Sequence, residues 1–296
     1  MENLFANCNL CPRRCGADRT GGRTGFCKMP DHPVVNLIRL HYGEEPIISG
    51  KNGSGTVFFE GCSLGCIYCQ NYSISRGPTG RGIEMDKDSL ADAYLELQAQ
   101  GANNINLVTP MHFAPAVADS IGKAKASGLK IPVAVNCSGY DLVQTLKLFD
   151  GLVDIYMPDM KYFSSKLSAG YSKAPDYFTI CCSAIDEMVR QTGDIVMGPD
   201  GLIKKGVIVR HLILPGGLFD SKHVLDYLTS RYGNRIYISL MSQYTPMPGC
   251  TGKLKERPSQ RSCESLSDYL ASKGQINAFV QEYDSCGNEM IPDFLT

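Results

Sequence analysis

The sequence has no long apolar run, no excess of one charge and no internal repeats. Its apolar stretches are far shorter than the roughly 20 residues that a membrane-spanning helix needs. A formal net charge of −1, from 29 Lys and Arg against 30 Asp and Glu, provides no global positive field to attract nucleic acid. The opening residues MENLFANCNL contain neither a basic nor a long apolar stretch, so we expect no secretory leader. Together these absences predict a cytoplasmic protein without a membrane or nucleic-acid partner.

Cysteine is the most unusual component of the sequence. Hydrophobic residues make up 43% and charged residues 20% of the 296 residues, which excludes a disordered or fibrous protein and allows a substantial core. Thirteen cysteines are too small a share for a disulfide scaffold. Their number is odd, and seven of them fall in two short clusters. In a reducing compartment such clusters indicate metal ligands rather than disulfides.

The character of the chain changes near residue 56. Residues 1–55 are rich in proline and glycine and are predicted to be mostly loop. From residue 56 onward, strand-like runs alternate with helical apolar patterns, which predicts βαβ units, an α/β fold and a full or partial barrel, with a doubly wound sheet as the alternative. In either fold the site lies at the carboxyl ends of the strands. The strand candidates are Thr56–Gly61, Ile105–Pro110, Pro132–Asn136, Val153–Pro158, Val207–Pro215, Arg235–Leu240 and Ile276–Tyr283.

The first cysteine cluster directly follows the first predicted strand. Cys62, Cys66 and Cys69 lie within eight residues, and Gly61 and Gly65 allow the backbone to turn tightly enough for the sulfurs to converge. Thiolates suit zinc or an iron–sulfur cluster. A structural zinc site needs a fourth ligand, and the sequence nearby offers none. The motif therefore favours a cubane iron–sulfur cluster with one iron left open.

This C-x3-C-x2-C spacing, with an aromatic residue before the last cysteine, resembles the signature of the radical S-adenosylmethionine (SAM) enzymes. The resemblance implies a partial (β/α) barrel and a [4Fe–4S] cluster whose open iron binds the amino and carboxylate groups of SAM. It also implies reductive cleavage of SAM to methionine and a 5′-deoxyadenosyl radical that abstracts a hydrogen atom. Similarity to the branch related to pyruvate formate-lyase activating enzymes rests on residues 53–59, 70–72, 106–110, 154–162, 209–216 and 241–244.

The same resemblance assigns SAM-binding roles to the ends of successive strands. The backbone of Tyr68 is implied to contact the adenine. Thr109 and Pro110 stand where activating enzymes carry a Gly-Gly-Glu-like turn, so backbone carbonyls and the Thr109 hydroxyl take over that role unless this is a plain helix-entry turn. Asn136 and Ser138 resemble a Thr-Asn-Gly turn, and their short polar side chains can bind ribose hydroxyls or the SAM carboxylate.

Charged and polar residues follow the later strands. Asp159 and Lys161 resemble an Asp-x-Lys element, and their side chains point to the same face of an extended chain. They can hold a zwitterionic amino-acid group or form a surface salt bridge. Arg210 sits in an otherwise apolar strand and needs an anionic or dipolar partner, such as a carboxylate of SAM or substrate. Gln243 and Tyr244 end the next strand and can donate to SAM or substrate.

Other candidate residues have two interpretations each. Cys137 is either a small core residue or a hydrogen-atom donor beside the radical site. His211 faces away from Arg210 and is predicted to be structural. Cys181 and Cys182 follow a helical pattern and are predicted to be core or neutral. The remaining cysteines lack ligand-like spacing, and their roles stay open: Cys250, Cys263 and Cys286.

The second cysteine cluster lies near the N-terminus. Cys8, Cys11, Cys15 and Cys27 place four thiols within twenty residues of a loop-rich segment. Their number fits a closed site, either zinc or an auxiliary iron–sulfur cluster. The segment has little apolar content, so we expect metal binding to supply its folding free energy.

The sequence therefore predicts three parts: a cysteine-rich metal-binding extension at residues 1–55, a radical SAM partial α/β barrel at residues 56–250, and a C-terminal helix and strand at residues 251–296. The expected function is that of an oxidoreductase that cleaves SAM. One candidate substrate is a glycyl-radical enzyme, for which the chain would be the activase, and the alternative is a small molecule. The expected reductant is a flavodoxin or ferredoxin. A non-enzymatic electron-transfer protein is disfavoured, because an electron carrier needs no polar residues to hold an amino acid.

Overall fold

The computed structural model of the chain describes residues 4–283 and 292–294. Strands and helices alternate along it from residue 34 onward. The strands are β1 (Val34–His41), β2 (Ser54–Phe59), β3 (Ile83–Glu84), β4 (Ile105–Val108), β5 (Val133–Cys137), β6 (Ile155–Pro158), β7 (Val196–Met197), β8 (Ile203–Leu212), β9 (Tyr237–Met241) and β10 (Ala278–Val280).

The helices connect these strands and cover the sheet. Single 3₁₀ turns lie at Met111–Phe113, Lys147–Phe149, Gly233–Arg235 and Gly252–Lys255. The α-helices are α1 (Pro46–Ser49), α2 (Tyr72–Ser75), α3 (Lys87–Ala99), α4 (Ala114–Ala126), α5 (Val143–Leu146), α6 (Ser165–Ser172), α7 (Tyr177–Thr192), α8 (Leu218–Tyr232) and α9 (Gln260–Ser272).

The strands form one large sheet in the order β10-β9-β8-β6-β5-β4-β2-β1-β3, and β7 pairs with β8. From β2 to β10 every pair of neighbours is parallel, and the order follows the chain without reversing. A doubly wound sheet would reverse at its switch point, so that alternative does not hold. Among the described strands, β3 and β10 are unclosed edges. The fold is therefore α/β, a partial (β/α) barrel that follows a cysteine-rich N-terminal segment.

The seven parallel strands lie within a few residues of the seven predicted ones. The strands that were not predicted are the short β3 and β7 and the longer β1, which falls inside the segment predicted to be mostly loop and pairs antiparallel with β2. Its sequence VVNLIRLH is interrupted by Asn36, which weakens the strand pattern. The structure compensates this buried amide, because Asn36 Nδ2 donates to Glu60 Oε1 at 2.7 Å. That contact spans 24 residues of sequence, so local pattern could not reveal it.

Local sequence explains where the helices begin. Asp86, one of two predicted caps for the helix before Gly101, caps α3 by accepting hydrogen bonds from the backbone amides of Asp88 and Ser89. The Ser89 hydroxyl completes a capping box. The apolar stripe of this helix, including Leu90, Tyr94 and Leu97, is buried, as its spacing predicts. Among the described residues, no helix is both long and apolar enough to cross a membrane.

Candidate active site

A cavity of about 190 Å³ lies at the carboxyl edge of the parallel strands. The loops after β2, β4, β5, β6, β8 and β9 form its wall, because the ends of parallel strands meet at one edge of a sheet. Two predicted site residues, Pro110 and Tyr244, are not among the residues that line it. The predicted residues on its wall are Cys62, Cys66, Tyr68, Cys69, Thr109, Asn136, Cys137, Ser138, Asp159, Lys161, Arg210 and Gln243.

Residues 61–69, here called the cysteine loop, follow β2 and bring three thiols to this wall. Gly61 and Gly65 adopt φ values of 80° and 67°, a left-handed conformation that favours glycine. A Cβ atom at Gly61 would lie 2.4 Å from Met29 Cγ, so space as well as conformation requires glycine there. These tight turns direct the side chains of Cys62, Cys66 and Cys69 toward one cavity.

Two of the three sulfurs receive a hydrogen bond. The Leu64 amide donates to Cys62 Sγ at 3.4 Å, and the Ser172 hydroxyl donates to Cys66 Sγ at 3.1 Å. Burial, followed by the neighbouring Cys69 and Cys66, raises the pKa of the Cys62 thiol to about 12. Without a metal, such clustered thiols stay protonated, whereas donors directed at sulfur favour thiolates once a metal binds.

The donor set fits a [4Fe–4S] cluster better than a single ion. Among the described residues, no three His, Cys, Asp or Glu side chains form a group that could hold one metal ion. Each thiolate of a cubane binds a different iron, so the sulfurs stand farther apart than around zinc. Three thiols on one wall, two of them with a hydrogen-bond donor, match that requirement. Cys62, Cys66 and Cys69 are the residues that would hold the cluster.

A cluster of charged side chains lies on the same cavity wall. Lys161 Nζ donates to Asp159 Oδ2 at 2.6 Å, and Arg210 Nε donates to Asp159 Oδ1 at 3.1 Å. Arg210 Nη2 also donates to Asn136 Oδ1 at 2.6 Å. Glu44 Oε2, from the loop between β1 and α1, lies 3.5 Å from Arg210 Nη1. The buried arginine thus finds its predicted anionic partners within the chain.

Burial and pairing set opposite pKa directions in this cluster. Burial alone would raise the pKa of Asp159, but Arg210 and Lys161 outweigh burial and lower it. Burial likewise opposes the charge of Lys161, but Asp159 keeps its pKa raised. For Glu44, burial dominates over Arg210 and raises the pKa to about 7. Asp159 and Lys161 therefore form a stable buried ion pair, and Glu44 is the member of the cluster that can take up a proton near neutrality.

Thr109 joins the wall in a strained conformation. Its φ of 61° is rare for a β-branched residue, and such strain is often found at functional sites. The Thr109 amide donates to the Asn136 carbonyl at 2.8 Å, which ties the end of β4 to that of β5. Next to it, the Ser138 carbonyl accepts a hydrogen bond from Tyr177 Oη at 2.8 Å, so β5 is also tied to α7.

The aromatic and amide residues at the site differ in their exposure to the cavity. Tyr68 lines it with a buried ring. Gln243 reaches it from the end of β9 and accepts a hydrogen bond from Gln281 at 2.9 Å. Tyr244 instead turns inward, where its hydroxyl donates to the Leu254 carbonyl at 2.6 Å. Pro110 precedes the buried 3₁₀ turn Met111–Phe113, which explains its distance from the wall.

His211 has two buried hydrogen-bond partners. Its Nδ1 lies 2.6 Å from the Met160 carbonyl and its Nε2 lies 2.9 Å from the Ser221 hydroxyl. Burial lowers its pKa, so the ring is neutral at physiological pH. These contacts agree with the structural role predicted for His211.

Cys137 lines the cavity beside a buried carboxyl group. Its thiol donates a hydrogen bond to Asp141, and burial, followed by the charge of Asp141, raises its pKa well above the usual value. The thiol is therefore protonated at neutral pH, with its hydrogen atom directed at Asp141. Asp141 Oδ2 has no hydrogen-bond partner within the part of the chain that the structure describes. Burial raises the pKa of Asp141 to about 7 despite hydrogen bonds from Cys137 and Gly139.

Stability is expected to depend on pH through Asp141. Because its pKa is about 7 in the folded state and 3.8 without the fold, the folded protein keeps a proton that unfolding releases, so its contribution falls as pH rises from about 4 to 7. At pH 8 the Asp141→Asn variant should have a free energy of unfolding about 2–4 kcal/mol higher than wild type, whereas the two should match at pH 4. Urea denaturation at pH 4, 6 and 8 measures this difference. A difference independent of pH would contradict the raised pKa.

The four N-terminal cysteines lie near one another in a segment without regular strands or helices among its described residues 4–33. Cys8, Cys11 and Cys27 are buried, and Cys15 is exposed. Burial, followed by the other three thiols, raises the pKa of Cys11 to about 12. A Cβ at Gly25 would lie 2.3 Å from Cys15 Sγ, so only glycine leaves room for that sulfur.

The N-terminal thiols also receive hydrogen bonds suited to thiolates. The Arg13 amide donates to Cys11, the Met29 amide donates to Cys27, and Arg19 Nη1 donates to Cys8 Sγ at 3.7 Å. These donors and the mutual proximity of the thiols fit a thiolate-bound centre. The four sulfurs do not form a ready single-ion site within the described chain.

The other cysteines lie away from both clusters. Cys181 is fully buried in α7, and Cys182 next to it is half-buried. Cys250 is buried beside the Tyr244 hydroxyl, at 3.3 Å, and Cys263 is buried in α9. Cys286 lies outside the described residues. Within that part of the chain, Cys137 is the single further cysteine on the cavity wall.

Comparison with known families identifies the central part of the chain. The model of the Radical SAM superfamily matches residues 56–177, which begin in β2 and include the cysteine loop, Asp159 and Lys161. These residues therefore resemble a radical SAM domain, the name used for them below. The resemblance implies a [4Fe–4S] cluster and SAM as cofactors. The radical SAM domain thus contains both the three-thiol wall and half of the charged cluster.

Relatives of the radical SAM domain agree with this fold. An uncharacterized protein of Methanocaldococcus jannaschii is 28% identical over 252 residues, covering 83% of this chain and 68% of the relative. A radical SAM methyltransferase from Sphaerobacter thermophilus superposes with a TM-score of 0.55 at 17% identity, covering 77% of this chain and 66% of that one. Methylornithine synthase superposes with a TM-score of 0.50 at 13% identity, covering 72% of this chain and 60% of that one. This chain spans under two thirds of both solved chains, and at these identities the likeness concerns the fold alone.

Sequence reasoning missed two contributors to the radical SAM site, both from the N-terminal segment. Glu44 joins the charged cluster, where it also accepts a hydrogen bond from Asn106 Nδ2 at 3.0 Å. Arg13 donates to the carbonyl of Ser63 in the cysteine loop at 2.9 Å. The burial of Arg210 was the one available signal, because it required an acidic partner without specifying which. No local pattern separates Glu44 from its neighbour Glu45.

Proposed function

We propose that this chain is a radical SAM enzyme that forms a 5′-deoxyadenosyl radical and abstracts a hydrogen atom from a glycine of a glycyl-radical enzyme. The supporting observation is that three thiols and the charged cluster around Asp159 share one cavity. A [4Fe–4S] cluster bound there would supply the electron that cleaves the sulfur–carbon bond of SAM. A flavodoxin or ferredoxin is the proposed source of that electron.

The chain's own residues are proposed to hold the amino-acid end of SAM. Lys161 is 16% exposed and lies near enough to Cys69 to lower the pKa of that buried thiol, whose overall shift is upward because of burial. A carboxylate placed between the cysteine loop and Lys161 would gain a charge-assisted hydrogen bond. Asp159 and Glu44 offer acceptors for an ammonium group on the same wall. Thr109 and Asn136, at the ends of β4 and β5, are the proposed polar contacts beside them.

Contacts of this chain's own C-terminal residues at the opening of the cavity support a protein substrate. Pro292 lines the cavity, and the ring of Phe294 packs edge to face on Phe58 with centroids 5.2 Å apart. A short segment of polypeptide therefore fits at the opening of this cavity. A loop of a glycyl-radical enzyme would use the same apolar contact after displacing Pro292 and Phe294.

A small amino-acid-like molecule is the second candidate substrate. Two carboxylates and two cations lie within one connected cluster, since Arg210 reaches both Glu44 and Asp159. Such an arrangement can bind a zwitterion as well as SAM. This substrate would need no displacement of the C-terminal segment.

Transfer of deuterium into 5′-deoxyadenosine distinguishes the two candidates. Anaerobically reconstituted protein, with SAM and dithionite, is incubated either with a glycyl-radical enzyme labelled with deuterated glycine or with deuterated free amino acids. Label from the protein alone supports the activase, and label from a free amino acid supports the alternative. SAM cleavage without transfer from either would contradict both substrate assignments.

Removal of the Lys161 side chain should weaken SAM binding. A hydrogen bond to a charged group contributes about 1.5–3 kcal/mol, so Lys161→Ala should raise the Kd for SAM about tenfold to a hundredfold. Lys166→Ala is the matched control, because Lys166 is exposed on α6. Equilibrium binding of SAM to the reconstituted protein measures the effect. An unchanged Kd would assign Lys161 to a purely structural role.

A second metal site at Cys8, Cys11, Cys15 and Cys27 is also part of the proposal. Support comes from the hydrogen bonds to these sulfurs and from the close approach of Cys15 to Gly25 described above. Iron with sulfide in this site would identify an auxiliary cluster, and zinc would identify a structural centre.

A further inference from the structure

The N-terminal segment packs directly against the cysteine loop of the radical SAM domain. The Cys27 carbonyl would lie 2.9 Å from a Cβ atom at Gly61, the residue just before Cys62. The Phe26 ring similarly would lie 3.1 Å from a Cβ atom at Gly65. The two cysteine clusters are therefore neighbours in space, although β1 and β2 lie between them in the sequence.

One side chain connects the two clusters. The guanidinium group of Arg13 donates from Nε to the Ser63 carbonyl and from Nη2 to the Leu64 carbonyl, both at 2.9 Å. It also donates to the Ser172 carbonyl at 2.6 Å and to the Lys173 carbonyl. All four acceptors are backbone oxygens, which match the planar fork of arginine donors.

These carbonyls belong to two segments that adjoin Cys66, the proposed cluster ligand. Ser63 and Leu64 belong to the cysteine loop itself. Ser172 ends α6, and its hydroxyl donates to Cys66 Sγ at 3.1 Å. Arg13 thus fixes both the loop that carries the thiol and the residue that donates to that thiol.

The position of Arg13 depends in turn on the N-terminal cysteines. Arg13 lies between Cys11 and Cys15, and its backbone amide donates to Cys11. The Phe26 ring, next to Cys27, stacks on the guanidinium group at 4.0 Å. Both groups that position Arg13 are therefore adjacent to a thiol of the second cluster.

The segment has little apolar packing of its own, since its buried cluster consists of Phe5, Cys8 and Leu10 among the described residues. It is held to the rest of the chain by Cys27 and Met29 in the main core and by the hydrogen bond from Arg19 to the His112 carbonyl. Metal binding supplies folding free energy to segments of this kind.

We propose that a metal centre bound by Cys8, Cys11, Cys15 and Cys27 controls the cysteine loop through Arg13, so that the two metal sites are thermodynamically linked. Loading of the N-terminal site raises the affinity of the radical SAM site for SAM, and the linkage is reciprocal. Arg13 is a positioning residue, because it contacts the loop and not SAM. This inference rests on the proposed cluster at Cys62, Cys66 and Cys69.

The first measurement asks whether the N-terminal site holds metal. In the full-length Cys62→Ala/Cys66→Ala/Cys69→Ala variant, reconstituted with iron and sulfide or purified with zinc, residual metal reports this site alone. We expect about one zinc or one iron–sulfur cluster per chain. A variant without either metal would overturn the proposal.

The second measurement tests the link through Arg13. Arg13→Gln should keep the N-terminal metal, but its Kd for SAM should rise at least about fivefold, and the change that SAM causes in the electron paramagnetic resonance spectrum should be altered. Arg13→Lys should restore part of the effect, because lysine donates to fewer carbonyls. Arg14→Gln is the matched control, since Arg14 is exposed in the same loop. A wild-type Kd and spectrum in Arg13→Gln would overturn the link.

The third variant removes the metal instead of the connector. Cys11→Ser should lose the N-terminal metal and weaken SAM binding to the same extent as Arg13→Gln. Metal loss with unchanged SAM binding would contradict the linkage. Wild-type protein that binds no SAM would contradict the proposed function instead, so the two failures are distinguishable.

Discussion

Simultaneous replacement of Cys62, Cys66 and Cys69 by alanine is expected to abolish formation of 5′-deoxyadenosine from SAM. These are the three thiols that share the cavity wall. Without them the cavity would have no ligands for the proposed cluster. Product analysis by mass spectrometry after anaerobic incubation with SAM and dithionite measures the loss.

The variant should still fold, because the loop sits at the edge of the sheet and alanine fits wherever cysteine does. Cys182→Ala/Cys263→Ala is a matched control for loss of thiols, since Cys182 in α7 and Cys263 in α9 are not among the residues of the cavity wall. That control should retain product formation. Product formation at the wild-type rate in the triple variant would show that the cluster is held elsewhere.

Replacement of Arg210 by leucine is expected to lower the free energy of unfolding by about 3–5 kcal/mol, the usual cost of leaving a buried charge without its partner. Arg210 is 15% exposed and pairs with Glu44 and Asp159, which are 10% and 13% exposed. Lys161 still neutralises Asp159 in the variant, so Glu44 is the carboxylate left uncompensated. Chemical denaturation at pH 8, where Glu44 is ionised in the wild type and either stays charged or must bind a proton in the variant, measures the loss.

Two comparisons make this prediction specific. Adding Glu44→Gln to Arg210→Leu should recover part of the loss, because the amide carries no charge. Arg235→Leu removes an ion pair with Asp194 from the surface, where the two side chains are 54% and 70% exposed, and should cost no more than about 1 kcal/mol. Equal losses for Arg210→Leu and Arg235→Leu would mean that burial does not strengthen the cluster.

The sequence predicted the fold well because its signals are local. Strand runs such as Ile105–Val108 and the capping residue Asp86 are readable within about ten residues, and strictly sequential winding follows from strands alternating with helices. The cysteine loop was also predictable, since the thiols and the glycines that turn it lie within nine residues. These features depend little on distant parts of the chain.

The remaining parts of the site depend on contacts between distant segments. Glu44 reaches Arg210 across 166 residues and Arg13 reaches Ser172 across 159 residues. Neither pair has a periodic pattern that would reveal it. Tyr244 illustrates the reverse case: its place after a strand predicted a cavity contact, but a hydrogen bond to the Leu254 carbonyl turns it inward. Side-chain direction after a strand end is set by tertiary partners, which the sequence does not specify.

The electron paramagnetic resonance spectrum of the reduced, anaerobically reconstituted protein tests most directly whether this cavity is a radical SAM site. We expect the signal of a reduced [4Fe–4S] cluster that changes when SAM is added, because one iron would be open to bind SAM. The SAM-dependent change should be absent from the Cys62→Ala/Cys66→Ala/Cys69→Ala variant. A wild-type signal that is indifferent to SAM would contradict the assignment of this cavity as a radical SAM site.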